Sequence, residues 1–331
     1  MPVYKGDKYL SEAVDSILGQ TFSDFEFIII CDDPTDETRH ILDKYRQNDS
    51  RVEVYYQERQ GLVSSRNKGI SLSRGEYIAK MDADDISLPD RLKNQVEFMD
   101  NNPYIGISGT WIKVFGDVPQ YVLKLPCDHE SIKSSLLFFC SIAQPSVIIR
   151  RNIFFKSGLC YDKNESHAED YGLWVRAVEI LKFANIPQVH LYYRMHNSTT
   201  NASIQKEASG NIRRSQIRKL GINPTKAEFE IHEALSYHTF EANKYFILRA
   251  KSWLEKLQDA NSKTNIYPEP AFSNVLASYW YDVCSDSINL GLGSWCLFHY
   301  SKLYKFADLS YRRKLRLFFK PSIKCLTNKI K

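Results

Sequence analysis

Residues 76–85 read EYIAKMDADD, an apolar segment that runs directly into three aspartates, Asp82, Asp84 and Asp85. The apolar part predicts a buried β-strand, and the following Pro89-Asp-Arg-Leu predicts a helix with proline at an early position. A cluster of carboxylates is therefore expected at the carboxyl end of a strand. In open α/β sheets, this edge is where ligands bind.

The residues before this segment alternate between strand-like apolar runs and amphipathic helices, in the order β-α-β-α-β-α-β. Strands are predicted at 25–31, 52–57 and 76–81, and helices at 9–20, 36–46 and 62–71. The continuous apolar run at 25–31 is typical of a strand that is buried on both faces. The alternation predicts an α/β fold with a mostly parallel sheet flanked by helices.

Further strands are predicted at 105–115, 146–150 and 189–194, and a further helix at 170–182. Beyond Asn201 the character changes to a polar and then aromatic-rich sequence with helical spacing. We therefore predict an α/β domain over residues 1–200 and a mainly helical C-terminal region over 201–331.

Composition narrows the class of protein further. Hydrophobic residues make up 43% and charged residues 25%, which excludes disordered, collagen-like and coiled-coil chains. The sequence has no apolar run of about 18 residues and no secretory signal, so we expect neither an integral membrane protein nor an exported one. Seven scattered cysteines without a CxxC pair indicate neither a disulfide framework nor a zinc site, and they fit a cytoplasmic protein.

The D-x-D spacing of Asp82 and Asp84 favours a metal site. Mg²⁺ and Mn²⁺ take oxygen ligands and are commonly held by one or two carboxylates together with substrate phosphates. Three aspartates this close repel one another unless a cation or hydrogen-bond donors offset their charge. The alternative is an acidic turn that caps the Pro89 helix.

A second acidic cluster, Asp32-Asp-Pro-Thr-Asp36, follows the strand predicted at 25–31. Carboxylates at the same sheet edge can accept hydrogen bonds from the ribose or base of a nucleotide. Capping of the next helix by Asp33 or Thr35 is the alternative, and the two roles are compatible.

Several motifs in this order resemble the family 2 glycosyltransferases, over roughly residues 1–200. They are Met1-Pro-Val-Tyr4, Ser16-Ile-Leu-Gly-Gln-Thr-Phe22, Asp24-Phe-Glu-Phe-Ile-Ile-Ile30, Asp32-Asp-x-Thr-Asp36, Arg66-Asn-Lys-Gly69, Arg74-Gly-Glu-Tyr-Ile78 and Met81-Asp-Ala-Asp-Asp85. The resemblance implies the GT-A fold for residues 1–200. It also implies an inverting transfer of a sugar from a nucleotide diphosphate sugar to an acceptor hydroxyl, as in bacterial enzymes of cell-surface polysaccharide synthesis.

The resemblance also implies roles for single residues in the nucleotide cleft. Asp84 is the expected ligand of an Mn²⁺ or Mg²⁺ ion that bridges the diphosphate. The expected nucleotide-sugar-binding residues are Pro2, Tyr4, Asp33, Arg66, Asn67, Asp82, Arg194 and His196. Asp33 would contact the nucleobase and Asp82 would lie near the ribose. Arg66 fits equally well as a surface helix residue in a salt bridge.

Two segments nearer the end of the predicted domain complete the resemblance. Glu169-Asp170 before Tyr-Gly-Leu-Trp174 resembles the family's Glu-Asp motif, and it implies that Asp170 is the catalytic base. Capping of the helix through its dipole is the alternative. Tyr193-Arg-Met-His196 resembles the family's closing Tyr-Arg-x-His segment, with Arg194 offsetting charge on the leaving group and His196 reaching the diphosphate or the metal.

The sequence departs from the family pattern at Pro34, at Lys5 and at its beginning. Pro34 replaces a small residue, and Lys5 stands where the family often has Asn. The family also has several apolar residues before the Met1-Pro-Val-Tyr motif, and those residues form most of a central strand. We therefore expect either that the natural reading frame begins upstream of Met1 or that the protein is a destabilised truncation.

The end of the chain has a different charge from the rest. Residues 301–331 contain ten Lys or Arg and one Asp within a net charge of +5, so the first 300 residues carry −4. From Leu303 to Cys325 the basic residues interleave with aromatic and aliphatic ones, a pattern that suits either an anionic membrane surface or a helix packed on the body. Without a known nucleic-acid-binding module, we expect no nucleic acid partner.

These observations predict a metal-dependent inverting glycosyltransferase that acts on a UDP-sugar and on a saccharide or lipid-linked acceptor. We expect a cytoplasmic protein, with peripheral attachment to the inner face of the membrane as an option. The alternatives are a non-catalytic or truncated binding protein of the same fold and a nucleotidyltransferase. The latter usually has a Gly-rich phosphate loop near its N-terminus, which this sequence lacks.

Overall fold

The computed structural model describes residues 1–5, 8–196, 202–241, 243–287 and 292–306. The chain divides into two compact units. One consists of Met1–Ile132 and Cys140–Ser209, and the other of Lys133–Phe139 and Gly210–Lys331. The short segment Lys133–Phe139 thus belongs with the C-terminal half of the chain.

The helices and strands of the first half follow the predicted alternation. In chain order, the strands are β1 (Pro2–Val3), β2 (Phe27–Asp32), β3 (Val52–Gln57), β4 (Tyr77–Ala79), β5 (Ile86–Ser87), β6 (Ile105–Gly116), β7 (Tyr121–Leu123), β8 (Ile148–Arg150) and β9 (Lys182–Met195). The helices are α1 (Leu10–Leu18), α2 (Asp36–Asn48), α3 (Leu62–Leu72), α4 (Arg91–Asn101), α5 (His129–Ser135), α6 (Arg151–Lys156), α7 (Glu169–Ala177), α8 (Ala202–Lys219), α9 (Lys226–Tyr237), α10 (Lys244–Thr264), α11 (Ala271–Asp286) and α12 (Leu292–His299).

The strands β1, β2 and β3 form a parallel sheet in the order β1-β2-β3. All six residues of β2 are buried, which is the burial expected of a strand covered on both faces. Asp32 pairs with Gln57 in the register of β2 and β3, so both strands end at the same edge. The predicted parallel arrangement is confirmed here, and it places the Asp32 cluster at a carboxyl edge.

The remaining strands form a second sheet in the order β4-β8-β6-β9-β5, with β7 paired to β6. In this sheet β6 and β9 run parallel, while β4 pairs antiparallel with β8. The prediction of a helix over 170–182 was wrong at its end, since α7 stops at Ala177 and β9 begins at Lys182. Pairing with β6 outweighs local sequence preference along this strand.

The Asp82–Asp85 cluster does not cap the following helix. The short strand β5 separates the cluster from α4, whose N-cap is Asp90. Pro89 therefore lies just before the cap instead of within the first turn, contrary to prediction. The capping alternative for these aspartates is wrong, whereas Thr35 does cap α2 by accepting a hydrogen bond from the backbone N of Thr38 at 3.1 Å.

A groove lies between the two sheets of the first unit. Strand β1 and strand β4 are both edge strands of their sheets, and β1 covers only the end of β2. A cavity of about 650 Å³ is lined by residues of both, including Phe27, Ile28 and Ile78. The Met1 α-amine closes one end and donates a hydrogen bond to Ile28 O at 2.8 Å. Burial lowers the pKa of this amine to about 5.

The second unit is built from helices around an aromatic-rich core. Trp253, Trp280 and Phe272 are almost fully buried there. The His232 ring is enclosed in the same core, where Trp253 Nε1 donates to its Nδ1 at 3.2 Å and burial lowers its pKa to about 3. Among the helices of the described residues, none is both long and apolar enough to span a bilayer.

The groove between β2 and β4 predicts a gain in stability when it is filled. An engineered extension of four β-branched residues ahead of Met1, in the register of β1, would pair with β2 and bury its side chains in the groove. Each buried side chain contributes about 1.5–3 kcal/mol, opposed by about 1–2 kcal/mol of backbone ordering per residue. We expect a net gain of about 2 kcal/mol and a rise in Tm of about 4–8 °C, measured by calorimetry.

A Gly-Ser extension of equal length is the matched control, because it lengthens the chain without supplying apolar side chains. Equal Tm values for the two extended proteins would contradict this account of the groove.

Candidate active site

Asp32 fixes the loop that follows β3. Its side chain is buried, and its Oδ1 accepts hydrogen bonds from Gln57 Nε2 at 2.9 Å and from the backbone N of Gln60 at 2.8 Å. Its Oδ2 accepts from the backbone N of Gly61 at 2.9 Å. Gly61 has φ of 86°, a left-handed conformation that glycine adopts freely. Asp32 therefore shapes the sheet edge from beneath and has little room to bind a ligand itself.

Asp33 and Tyr4 lie at the more open side of this edge. Asp33 is only partly buried and has φ of 50°, and its backbone N donates to Gln57 O at 3.0 Å. Tyr4 follows Pro2–Val3 and is 46% exposed. The guanidinium of Arg59 lies 5.3 Å from the centre of the Tyr4 ring. An exposed aromatic ring at the end of the strand that pairs with β2 suits a planar ligand such as a nucleobase.

Arg66 forms the charged centre of the site. Its Nη1 donates to Glu169 Oε1 in a close contact, and its Nη2 lies 3.3 Å from Asp82 Oδ1. Burial opposes the charge of the guanidinium, but the carboxylates of Asp82 and Glu169 outweigh it and raise the Arg66 pKa. The side chain is 7% exposed, so the alternative of a surface helix residue is wrong.

Asn67, the neighbour of Arg66 on α3, has a structural contact. Its Nδ2 donates to Tyr161 O at 2.9 Å, and its Oδ1 accepts from the backbone N of Tyr161 at 3.0 Å. The buried Tyr161 ring lies 5.6 Å from the Arg66 guanidinium and 5.1 Å from Lys80 Nζ. Asn67 thus holds the ring beneath these two cations. Its contact with a donor sugar stays a prediction.

Asp170 lies in the first turn of α7, directly after Glu169. Its Oδ1 accepts a hydrogen bond from the backbone N of Tyr171 at 2.7 Å. Burial raises its pKa, and the Arg66 charge acts in the opposite direction. The two adjacent carboxylates therefore differ: Glu169 is ion-paired with Arg66, whereas Asp170 has no side-chain cation bonded to it in the described part of the chain.

The D-x-D loop is tied to the end of β9. The backbone N of Arg194 donates to Asp85 Oδ1 at 2.8 Å, and Arg194 Nε donates to Asp84 O at 2.7 Å. Burial, together with the nearby Asp82 and Asp84 charges, raises the Asp85 pKa. These surroundings favour the neutral form of Asp85, which lessens the repulsion expected among the aspartates.

The Arg194 guanidinium is held by aromatic rings and by a carboxylate. It lies 4.0 Å from the Tyr9 ring centre and 4.4 Å from the Phe115 ring centre, and its Nη2 pairs with Glu12. The structure thus places Arg194 as a clamp between α1, β6 and the D-x-D loop. Its contact with a leaving group stays a prediction.

His196 and Asp84 meet at a cavity of about 380 Å³. His196 Nε2 lies 2.9 Å from Asp84 Oδ2, and the His196 ring stacks on Tyr9 with 5.5 Å between ring centres. Lys5 and Lys8 line the same cavity. Cationic side chains opposite a half-exposed carboxylate suit a ligand that carries both phosphate and a metal ion.

The donor set at this cavity fits a divalent cation. Within the described residues, no group of three or more Asp, Glu, His or Cys side chains is close enough to hold a metal ion without other ligands. Asp84 supplies a carboxylate oxygen and His196 an imidazole nitrogen, and Mn²⁺ accepts both ligand types. Such a site is completed by substrate phosphates and water.

The structure adds residues that the sequence did not single out. Tyr9 and Glu12 lie three positions apart on or beside α1 and both contact Arg194, so helical spacing beside the Met1-Pro-Val-Tyr motif was a usable signal. Lys80 lies beneath the site, where burial and the Arg66 charge lower its pKa to about 7. Nothing in the sequence pattern points to the contact of Arg59 with Tyr4.

Comparison with known proteins identifies the family of the chain. The model of the family "Glycosyl transferase family 2" matches residues 1–181, and the chain belongs to this family. An uncharacterized glycosyltransferase of Haemophilus influenzae is 29% identical over 259 residues, which cover 73% of this chain and 80% of the relative. The O-antigen biosynthesis glycosyltransferase WbnJ of Escherichia coli is 34% identical over 214 residues, covering 61% and 81%.

Solved structures share the fold at low sequence identity. TarS residues 1–349 of S. aureus, in complex with UDP-GlcNAc, superposes with a TM-score of 0.55 and 18% identity, covering 98% of this chain and 90% of that TarS fragment. The mannosyltransferase PcManGT of Pyrobaculum calidifontis, in complex with GDP-Man and Mn²⁺, gives a TM-score of 0.52 and 16% identity, covering 99% and 86%. The fold is GT-A, as predicted, and the protein is a glycosyltransferase of family 2.

The hydrogen bonds of Asp32 predict a large stability loss for Asp32→Ala. Removal of the carboxylate leaves the backbone N–H groups of Gln60 and Gly61 without their acceptor. We expect a loss of about 3 kcal/mol in the free energy of unfolding, measured by urea titration.

Asp33→Asn is the matched control, because asparagine tolerates the left-handed backbone and the Asp33 backbone contact remains. We expect its unfolding free energy to stay within about 0.5 kcal/mol of the natural protein. Similar losses in both variants would show that the loop does not depend on Asp32.

Proposed function

We propose that the protein is an inverting, metal-dependent glycosyltransferase that takes a sugar from a uridine diphosphate sugar and builds a surface polysaccharide or glycolipid. The observation that carries this proposal is the Arg66 centre. One buried guanidinium pairs with Asp82, on the side expected to face the nucleotide, and with Glu169, the neighbour of the expected base. Asp82, expected on the donor side, and Glu169, next to the expected base, therefore both bind the same guanidinium.

The proposed reaction is a single displacement. The acceptor hydroxyl oxygen forms a bond to the anomeric carbon, the bond from that carbon to the diphosphate oxygen breaks, and the diphosphate leaves with the electron pair. Asp170 takes the hydroxyl proton, which requires its ionised form. The burial of Asp170 makes it a stronger base than an exposed aspartate.

The remaining residues of the site would bind and orient the donor. Asp33 and Tyr4 would hold the nucleobase, with Pro2 shaping the cleft, and Lys5 and Lys8 would face the diphosphate. Asp84 and His196 would hold Mn²⁺ or Mg²⁺, which stabilises negative charge on a departing diphosphate when bound. Arg194 would keep Asp84 in place through the bond to its carbonyl oxygen.

The relatives support the choice of donor and pathway. TarS was solved with UDP and with UDP-GlcNAc, and PcManGT with GDP-Man and Mn²⁺. WbnJ is named as an enzyme of O-antigen biosynthesis. These names favour a nucleotide diphosphate sugar, a divalent cation and a saccharide acceptor for this chain.

Two substitutions separate donor binding from chemistry. With Mn²⁺ present, we expect UDP to raise the Tm of the natural protein, since a ligand that binds only the native state stabilises it. Asp170→Asn should keep this rise but lose donor turnover by about 10²-fold or more. Asp84→Ala should lose both the Mn²⁺-dependent rise and the turnover, measured as release of UDP from UDP-sugars.

GDP and CDP serve as controls for the base, and Asp128→Asn, far along the chain from the motifs, serves as a control for a surface aspartate. A rise with GDP alone would overturn the choice of UDP. A natural protein that binds no nucleotide diphosphate would instead favour a non-catalytic protein of this fold.

We also propose that the basic tail attaches the protein to anionic membranes. The tail prediction covers Leu303–Cys325, of which residues beyond Phe306 lie outside the described part of the chain. Each Lys or Arg near an anionic surface contributes about 1 kcal/mol. We expect the full chain to float with anionic liposomes at low salt, and a chain ending at Phe306 to stay in the soluble fraction. Equal partitioning of the two chains would refute this role.

A further inference from the structure

We propose that Arg66 is a positioning residue for the acceptor side of the reaction: its guanidinium fixes Glu169 and sets the electrostatic environment of the adjacent Asp170. This inference rests on the proposed function, because it assumes that Asp170 is the base. It adds a role to a residue that the sequence associates with the nucleotide.

The geometry ties three separate parts of the chain to one side chain. Arg66 comes from α3, Asp82 from the loop after β4, and Glu169 from the first turn of α7. Arg66 and Glu169 are each only 7% exposed. Both terminal nitrogens of the guanidinium are engaged by protein carboxylates. The first turn of α7, and with it Asp170, is therefore fixed relative to Asp82 and the loop after β4.

The groups around Asp170 differ in charge, and they affect its negative charge in different directions. The groups that interact with its charge are Arg66, Asp82, Glu169, Tyr161, Tyr193 and Cys140. The tyrosines and the cysteine are neutral near pH 7, because burial raises each pKa. Asp82 and Glu169 are acidic, so Arg66 is the cation of this group.

The direction of the effect follows from these charges. A general base works only when deprotonated, so activity falls as pH falls through its pKa. Burial raises the pKa of Asp170, Arg66 lowers it and Asp82 raises it. Loss of the Arg66 charge should therefore move the acid limb of the activity profile to higher pH. Loss of the Asp82 charge should move the limb to lower pH.

The test is the pH dependence of kcat/KM from about pH 5 to about pH 9, which reports the free enzyme. The full chain is assayed with Mn²⁺ and the UDP-sugar that it turns over. We expect the acid midpoint of Arg66→Gln to rise by about one pH unit or more. Arg66→Lys, which keeps the charge, should stay nearer to the natural midpoint, and Asp82→Asn should move below it.

Arg91→Gln is the matched control for a merely structural effect. Arg91 is also a buried arginine, and it donates to Lys80 O at 2.7 Å and to Gln95 Oε1 at 2.9 Å, but it is not among the groups that act on Asp170. Its loss should lower Tm and leave the acid midpoint unchanged.

The outcomes are distinct. An unchanged midpoint in folded Arg66→Gln would overturn the inference, as would an equal shift in Arg91→Gln. If Arg66→Gln does not fold, Asp82→Asn decides: a lower midpoint supports the inference, and an unchanged one overturns it. A natural protein that binds no nucleotide and turns over no donor would overturn the proposed function, and the inference with it. If the natural protein turns over a UDP-sugar but the acid midpoint of Arg66→Gln does not move, the inference alone is overturned.

Discussion

A guanidinium held away from water between two carboxylates is the constraint on which the site depends. Removing Arg66 from water is unfavourable, and its charge is tolerated because Asp82 and Glu169 pair with it. Breaking such a pair by deleting one partner costs about 3–5 kcal/mol, because an uncompensated charge stays buried. If the loop after β4 and the start of α7 moved apart, an ion pair of Arg66 would break and this free energy would be lost. The same pairing that stabilises the first unit therefore also sets the distance between the two sides of the site.

A second arginine, Arg194, holds the D-x-D loop, but it lies between aromatic rings. Arg194 lies between the Tyr9 and Phe115 rings, and its backbone and side chain bond to Asp85 and Asp84. Burial raises the Asp85 pKa, which favours its neutral form and lessens the repulsion within the loop. Asp84 is then left at the cavity with His196. Of the carboxylates in this loop, Asp84 is the most exposed, with 39% of its side chain accessible against 25% for Asp82, and it is the one expected to face a metal ion.

Sequence reasoning reached the order of helices and strands along the first half of the chain because the signals there are local, but it did not predict that β4 lies in a second sheet, antiparallel to β8. Strand β2 is a continuous apolar run, and α2 begins with a Thr35 cap, so hydrophobic periodicity and capping were sufficient. The end of α7 and the length of β9 were missed, since long-range pairing with β6 decides them. The motifs also identified candidate residues of the site, but they did not predict which of these residues contact one another. The pairing of Arg66 with Glu169, 103 positions later, depends on tertiary packing, which no spacing rule contains.

The groove between β2 and β4 has a consequence beyond stability. Peptide groups at an uncovered strand edge pair with any extended chain that reaches them. Here β2 and β4 border a cavity whose lining mixes apolar side chains, such as Phe27 and Ile78, with charged ones, such as Glu76 and Lys80. An extended segment that entered this groove would therefore have to match its charged side chains as well as its apolar ones.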